Sequence, residues 1–475
     1  MGNAPSIPGH DCLLAAVAYN PSKIAFRGSL RITPLYNLDF PVVPTAITYP
    51  DTNEQVAEIV RCAADNGYKV QARSGGHSYG NYGLGGTDGA IVVDLQNFQQ
   101  FSIDPNTQIA TIGAGTLLRD LTTRLNDAGG RAVAHGTCGQ VGTGGHFTIG
   151  GLGPKSREWG MALDHVEEAT VVLANSTIVQ ATKDQHQDVL FAIKGAAASF
   201  GIVTEFKLHT HPAPTQAYQY SFTWTMGSSR DKANVFKDWQ RLVSNETLTR
   251  KFASELVVTE AGVIVSGTYF GTREEFDAFE LENHFPMASS STVLTLSNWL
   301  GMIGSRAEDL IEQAAGGIPV SFYSKSLPFT NATIIPDEGV DALFEYIDKT
   351  PKDTLAWFII FDLEAGATND VPMDATAYAH RDAFMWMQSY AINLLGPVSR
   401  QSKNFLQGLN DVILRSEKPG ARFGAYPGYV DPYMENAQYA YWGSNLPRLE
   451  TIKRDIDPND VFHNPQSVRV KSNNP

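Results

Sequence analysis

Apolar residues recur every three or four positions between residues 52 and 66, the spacing that sets one face of a helix into a core. Val56, Ile59, Val60 and Ala63 share that face. Thr52 and Gln55 have the spacing of a capping box, and Asn66-Gly67 ends the helix. Apolar runs over 90–95 and 108–112 read as strands, 116–127 as a helix, and 169–179 as a hairpin turning at Asn175-Ser176. A strand over Gly201–His209 closes this stretch. Two glycine-rich tracts interrupt it: Arg73-Ser74-Gly75-Gly76-His77-Ser78-Tyr79-Gly80, and the run from Gly136 through Cys138 to Gly153.

The pattern changes after His209. His211-Pro212-Ala213-Pro214 reads as a linker. Beyond it strands over 218–225, 261–270 and 354–363 alternate with helices over 230–243, 273–283 and 400–415. The chain turns irregular again after Pro419 and runs on to Asn464-Pro465-Gln466. This predicts an α+β protein of two domains, 1–210 and 211–420, with 421–475 returning to the first.

The 475 residues carry 36 Lys and Arg against 50 Asp and Glu, a formal charge of −14. Such an acidic chain excludes a nucleic-acid binder, which needs a basic face to displace counterions, and argues against docking on an anionic membrane. Its apolar runs are about the size of 355–361, far short of the ~20 residues that span a bilayer. Near Met1 no basic stretch precedes an apolar run as in a signal peptide. Met1-Gly2 with Ser6 fits the loose N-myristoylation pattern; a start Met added to a processed secreted chain fits better. Sequons beginning at Asn175, Asn245 and Asn331 suit secretion. The 3 Cys leave either one disulfide and one special thiol, or three free thiols, and their spacing fits no zinc site.

Neither G-x-G-x-x-G nor a P-loop is present. Gly76-His77-Ser78-Tyr79-Gly80 matches the G-x-S-x-G hydrolase elbow, but that motif needs a helix directly after the serine. Asn81-Tyr82-Gly83-Leu84-Gly85-Gly86 cannot form one. His209 and His211 face one side of a strand without carboxylates or thiols nearby, so they read as surface residues and no metal is expected. Two glycine-rich loops remain, each with one reactive side chain, His77 and Cys138. Glycine lets backbone N–H groups approach a pyrophosphate closely, so an acidic protein can hold a dinucleotide.

Arg73–His77-Ser78, His135-Gly136-Thr137-Cys138 and Val141-Gly142-Thr143-Gly144-Gly145-His146 resemble the FAD-binding loops of vanillyl-alcohol-oxidase-type flavoproteins. The likeness is greatest to the berberine-bridge-like branch and its fungal oligosaccharide oxidases. It continues through 195–205, 322–327, 377–382, 426–432 and 457–466. The resemblance implies FAD linked twice, through His77 at the flavin 8α-methyl and Cys138 at the 6-position. Arg73, Ser74, Gly75, Gly76, Ser78, Val141, Gly142, Gly144, Gly145, His146, Ile202, Val203 and Tyr426 would bind the cofactor. It implies an FAD domain built from the first ~210 residues plus the tail, with a sheet-and-helix substrate domain inserted. It also implies a Cys12–Cys62 disulfide, hence an oxidising compartment and a secreted, extracellular protein.

In Tyr426-Pro427-Gly428-Tyr429-Val430-Asp431 the second tyrosine matches the family's catalytic base, with Gly428 in place of the usual Asn. A free tyrosine has a pKa of ~10 and needs help at neutral pH; Asp362 matches the supporting aspartate. Gln388 matches a sugar-contacting glutamine and Tyr79 resembles a site tyrosine near the flavin, both assigned to the substrate side, whereas Ile360 stands where glucose- and lactose-oxidising relatives carry Gln. Loss of that polar partner changes which hydroxyls the pocket accepts. The reading is a monomeric FAD oxidase of oligosaccharides, tilted to xylo- over cello- or chito-oligosaccharides, producing a lactone and hydrogen peroxide from O2. Val141, three residues after Cys138, matches the gate position at which valine goes with oxidases. The rivals are an oxidase of a secondary metabolite and a protein that keeps flavin structurally.

Overall fold

The computed structural model describes residues 7–29, 34–225, 227–303, 319–354, 356–416 and 424–470. Met1, Gly2, Ser6 and the expected boundary at 421 lie outside the described residues. The first sheet contains β1 (Ile24–Phe26), β2 (Ala46–Thr48), β3 (Val70–Arg73) and β4 (Ile91–Asp94) in the order β1-β2-β4-β3. β4 pairs in parallel with both β2 and β3, and the helix Asn53–Asp65 makes the crossover. Val56, Ile59, Val60 and Ala63 are buried as the pattern predicts. Only half of the capping box closes: Thr52 Oγ1 accepts from the Gln55 N–H at 3.3 Å, but the Gln55 side chain reaches one residue further back and accepts from the Asp51 N–H at 2.7 Å. A Cys12–Cys62 disulfide, with Cα atoms 5.9 Å apart, ties the helix His10–Ala16 to Asn53–Asp65.

A second sheet combines β5 (Phe101–Ile103), β6 (Ile109–Gly113), β8 (Val166–Leu173), β9 (Ile178–Ala181) and β10 (Gly201–His209), while β7 (Arg131–Ala132) pairs with β11 (His211–Pro212). One core joins both larger sheets and takes Val461 and Phe462 from the tail. The tail is fastened at β3, where the Val70 N–H donates to Val461 O at 2.8 Å. His209 is exposed, but His211 is half-buried with its ring 4.5 Å from that of Trp159, because the two-residue pairing of β11 turns it inward.

The third sheet has seven strands: β12 (Ala217–Thr225), β13 (Phe252–Thr259), β14 (Gly262–Tyr269), β15 (Ser290–Leu296), β16 (Ser321–Phe329), β17 (Trp357–Leu363) and β18 (Met385–Asn393). They are antiparallel in the order β15-β12-β14-β13-β17-β18-β16. Along β17, Trp357, Ile359, Phe361 and Leu363 enter the core shared with the helices Ser229–Val243, Asp337–Lys349 and Arg400–Ser416. The alternate residues Phe358 and Ile360 join Tyr390, Phe322 and Val257 on the other face. Covering both faces explains why this strand reads as an unbroken apolar run. The helix expected over 273–283 is instead two short ones, Arg273–Asp277 and Leu281–His284, separated by Glu280 at φ 46°. On one continuous helix Phe276 and Leu281 would lie roughly 140° apart; the break lets both enter one core.

The segment 424–434 crosses from the tail onto the third sheet and is fixed at three places. Lys325 Nζ on β16 donates to Asp431 Oδ2 at 2.7 Å, with both side chains buried. Ser326 Oγ accepts from the Tyr426 N–H at 3.1 Å, and the Tyr426 hydroxyl accepts from the Gly151 N–H at 2.7 Å. Three histidines support the loops nearby as neutral rings. His146 Nε2 accepts from the Gly136 N–H at 2.9 Å, and His165 Nε2 accepts from the Ala134 N–H at 3.1 Å. His135 Nε2 lies 2.9 Å from Thr122 Oγ1. Burial pulls their pKa values down, to about 4 for His135 and about 3 for His146 and His165.

Two outcomes follow. Lys325→Met leaves Asp431 as a buried charge without its cation and should cost about 3–5 kcal/mol in chemical denaturation, with Asp431→Leu added in the double variant recovering part of it. Between the unfolded histidine pKa of ~6.5 and the folded values, the unfolded chain binds more protons, so stability rises with pH. The melting temperature should therefore fall steadily as pH is lowered from 6.5 towards 4; a flat profile over that range would contradict the neutral-ring assignment.

Candidate active site

The His77 loop leaves the end of β3, where Arg73 Nη1 donates to the buried Asp94 carboxylate at 2.7 Å. The Cys138 loop runs from β7 to the helix Thr143–Ile149 and is held by backbone bonds from Leu118 N–H to Val141 O, 2.9 Å, and Arg119 N–H to Gly139 O, 3.1 Å. The two loops touch backbone to backbone. A Cβ on Gly142 would lie 2.1 Å from Gly75 N, and one on Gly75 would lie 2.4 Å from Gly142 N. Ser74 bridges the same contact: its hydroxyl donates to Ala114 O at 2.6 Å and accepts from the Gly144 N–H at 3.4 Å. The hydrolase motif gains no helix. Ser78 Oγ accepts from the Tyr82 N–H at 3.1 Å, and only a single 3₁₀ turn, Tyr82–Leu84, follows.

A cavity of about 320 Å³ opens against both loops. His77, Cys138 and Tyr429 all line it. So do Arg73, Ser74, Gly75, Gly76, Ser78 and Tyr79 from the first loop, and Val141, Gly142, Gly144, Gly145 and His146 from the second. Val203, Ile360, Gln388 and Tyr426 complete the candidates at its wall. Two fall elsewhere. The Ile202 side chain lies wholly in the hydrophobic core, whereas its neighbour Val203, packed in the same core, also reaches the cavity. Asp362 lies behind the lining, where its Oδ2 accepts from Gln388 Nε2 at 2.6 Å. Cys138 is half-buried and stands outside the disulfide.

The wall opposite the loops belongs to β17 and β18. Ile360 lies directly across from Gln388, and Phe358 across from Tyr390. Tyr79 and Tyr390 hydroxyls meet at 2.9 Å, and the Tyr390 hydroxyl donates in turn to Gln388 Oε1. Tyr429 packs on two aromatic neighbours, with ring centroids 4.9 Å from Tyr426 and 6.2 Å from Tyr79. Sequence reasoning missed Tyr36, whose ring lies 4.4 Å from that of His77, because its irregular segment carries no pattern. It also missed Tyr390 and the buried Glu255, the cross-strand partner of Asp362. Their i+2 and cross-strand relations to Gln388 and Asp362 were the available signals. Among the described residues no group of His, Cys, Asp and Glu could hold a metal ion, and no helix is long and apolar enough to cross a membrane.

Residues 44–182 match the FAD binding domain family, and 425–469 the berberine and berberine-like family. The chain is 42% identical to FAD-linked oxidoreductase sorD of Penicillium rubens over 96% of its own length and 97% of that protein. A solved chitooligosaccharide oxidase superposes with a TM-score of 0.88 at 29% identity, covering 98% of this chain and all of the other. The glucooligosaccharide oxidase of Acremonium strictum, described with a 6-S-cysteinyl, 8α-N1-histidyl FAD, gives a TM-score of 0.86 at 30% identity over 98% and 100% of the two chains. Agreement in sequence and fold over nearly the whole length places this chain among the FAD-linked oxidoreductases of the berberine-bridge-like branch.

Proposed function

We propose that the chain is a bicovalently flavinylated oxidase of oligosaccharides that converts the reducing-end C1 hydroxyl to a lactone, which water opens to an aldonic acid. One observation carries the reading: His77 and Cys138, on loops in backbone contact, line the same cavity as Tyr429. The residues present fit a flavin, because an imidazole, a thiol and glycine backbone unscreened by any Cβ share one wall region. His77 would hold the 8α-methyl and Cys138 the 6-position. FAD, when bound, supplies the hydride acceptor. Tyr429 takes the hydroxyl proton, and Asp362, oriented by Gln388, is the carboxylate that would accept the tyrosine's own proton. Val141, half-buried at the cavity, leaves an apolar opening for oxygen, with hydrogen peroxide as the co-product.

In this reading 1–210 and 421–475 form the FAD-binding part and 211–420 the substrate part, in a monomer. The disulfide and the exposure of Asn175, Asn245 and Asn331 support an extracellular glycoprotein. Ile360 opposite Gln388 favours xylo-oligosaccharides among the sugars. A second reading has its own support: Tyr36, Phe358 and Ile360 make much of the wall apolar, with Phe322 packed behind Tyr36, as an oxidase of a hydroxylated secondary metabolite requires.

Peroxide release across cello-, xylo-, chito- and malto-oligosaccharides separates the two readings; silence across the whole panel would turn the assignment to the metabolite. With any oxidised substrate, Tyr429→Phe should lower kcat by ~10²–10⁴ while FAD is retained, and Asp362→Asn should act in the same direction but less. Near-normal turnover in Tyr429→Phe would move the base elsewhere.

A further inference from the structure

The hydroxyls and amide on the sheet wall form one chain: Tyr79, Tyr390, Gln388, Asp362. Its proton order follows from its last member. A carboxylate oxygen only accepts, so the Gln388 group facing Asp362 Oδ2 is the NH2. That turns Oε1 towards Tyr390, whose single proton must go to it. Having spent its proton, the Tyr390 oxygen can meet Tyr79 only as an acceptor, so Tyr79 donates across the 2.9 Å contact. Tyr79, which lines the cavity, thereby has only lone pairs to offer there.

We infer that Tyr390 is a positioning residue and that the chain it completes makes Tyr79 an obligate hydrogen-bond acceptor, so that the cavity selects a substrate whose hydroxyl donates to Tyr79. The ring of Tyr390 is suited to this. It is buried, lies 4.6 Å from the ring of Phe358 at an interplanar angle of 29°, and sits two residues from Gln388 on the same face of β18. A substrate group that can only accept would meet the Tyr79 oxygen lone pair to lone pair, and a buried mismatch of that kind discriminates more strongly than a missing methylene. Ile360, directly opposite Gln388, adds no competing donor at this wall. The inference rests on the reading that this wall faces the substrate, and it holds for a sugar or for any other hydroxylated substrate.

Two measurements on the FAD-loaded protein test it. Neutron diffraction from deuterium-exchanged crystals should show the Tyr79 deuterium directed at Tyr390 and the Tyr390 deuterium directed at Gln388 Oε1; a Tyr390 deuterium directed at Tyr79 would overturn the proton order. Anaerobic flavin reduction by xylobiose and by its mono-fluoro analogues, each with one hydroxyl replaced, reads the consequence. In the natural protein one analogue should lose at least about tenfold in kcat/KM, mostly through KM. Tyr390→Phe returns the Tyr79 proton to the cavity and should shrink that loss to about threefold or less, keeping the limiting reduction rate within about threefold. An undiminished loss in Tyr390→Phe would refute the positioning role. If xylobiose does not reduce the flavin, the tilt to xylo-oligosaccharides fails alone, and the deuterium positions still decide this inference, as they do if Tyr390→Phe fails to fold.

Discussion

The contact between Gly75 and Gly142 is the constraint on which the site depends. Any side chain there would lie within about 2.4 Å of opposing backbone, closer than real atoms approach. Only glycine at both positions lets the end of β3 and the entry to the helix Thr143–Ile149 close on each other. With that contact made, the residues two places beyond Gly75 and four before Gly142, His77 and Cys138, come to one cavity. Ser74 and His146 then fix the loops through hydrogen bonds to Ala114, Gly144 and Gly136. His146 can serve only as a neutral acceptor, which burial ensures.

The opposite wall follows from a different requirement. A strand with both faces covered must be apolar throughout, and β17 is, except at Asp362. A carboxylate half-buried between covered faces needs partners, and Gln388 on the adjoining strand donates one bond to it. The segment bearing Tyr429 has few regular backbone bonds of its own. It is held by the ion pair of Lys325 with Asp431 and by the bonds of Tyr426 to Ser326 and Gly151. Loops and sheet are thus joined through Lys325, Asp431 and Ser326, which lie outside the cavity lining, and through Tyr426, which stands in it.

Much of this was legible in the chain. The amphipathic helix after Thr52 and the strands of the first region carried their period plainly, and the two glycine tracts marked the loops through His77 and Cys138. What failed did so for physical reasons. The 273–283 helix broke because two apolar residues five apart had to reach one core. Gln55 satisfied Asp51 in place of Thr52, a choice between adjacent donors that spacing does not encode. Ile202 and Asp362 stand off the cavity lining, Ile202 in the core and Asp362 behind Gln388, placements that depend on register and that sequence alone does not show. Tyr36 reaches His77 from an irregular segment, and only tertiary structure reveals it.

The central claim is that two loops welded at paired glycines present one imidazole and one thiol to one flavin. Mass spectrometry of the proteolysed protein tests this most directly. The account predicts a single species in which the peptides containing His77 and Cys138 are joined through one FAD. Recovery of either peptide unmodified from protein that carries its full complement of flavin would contradict it.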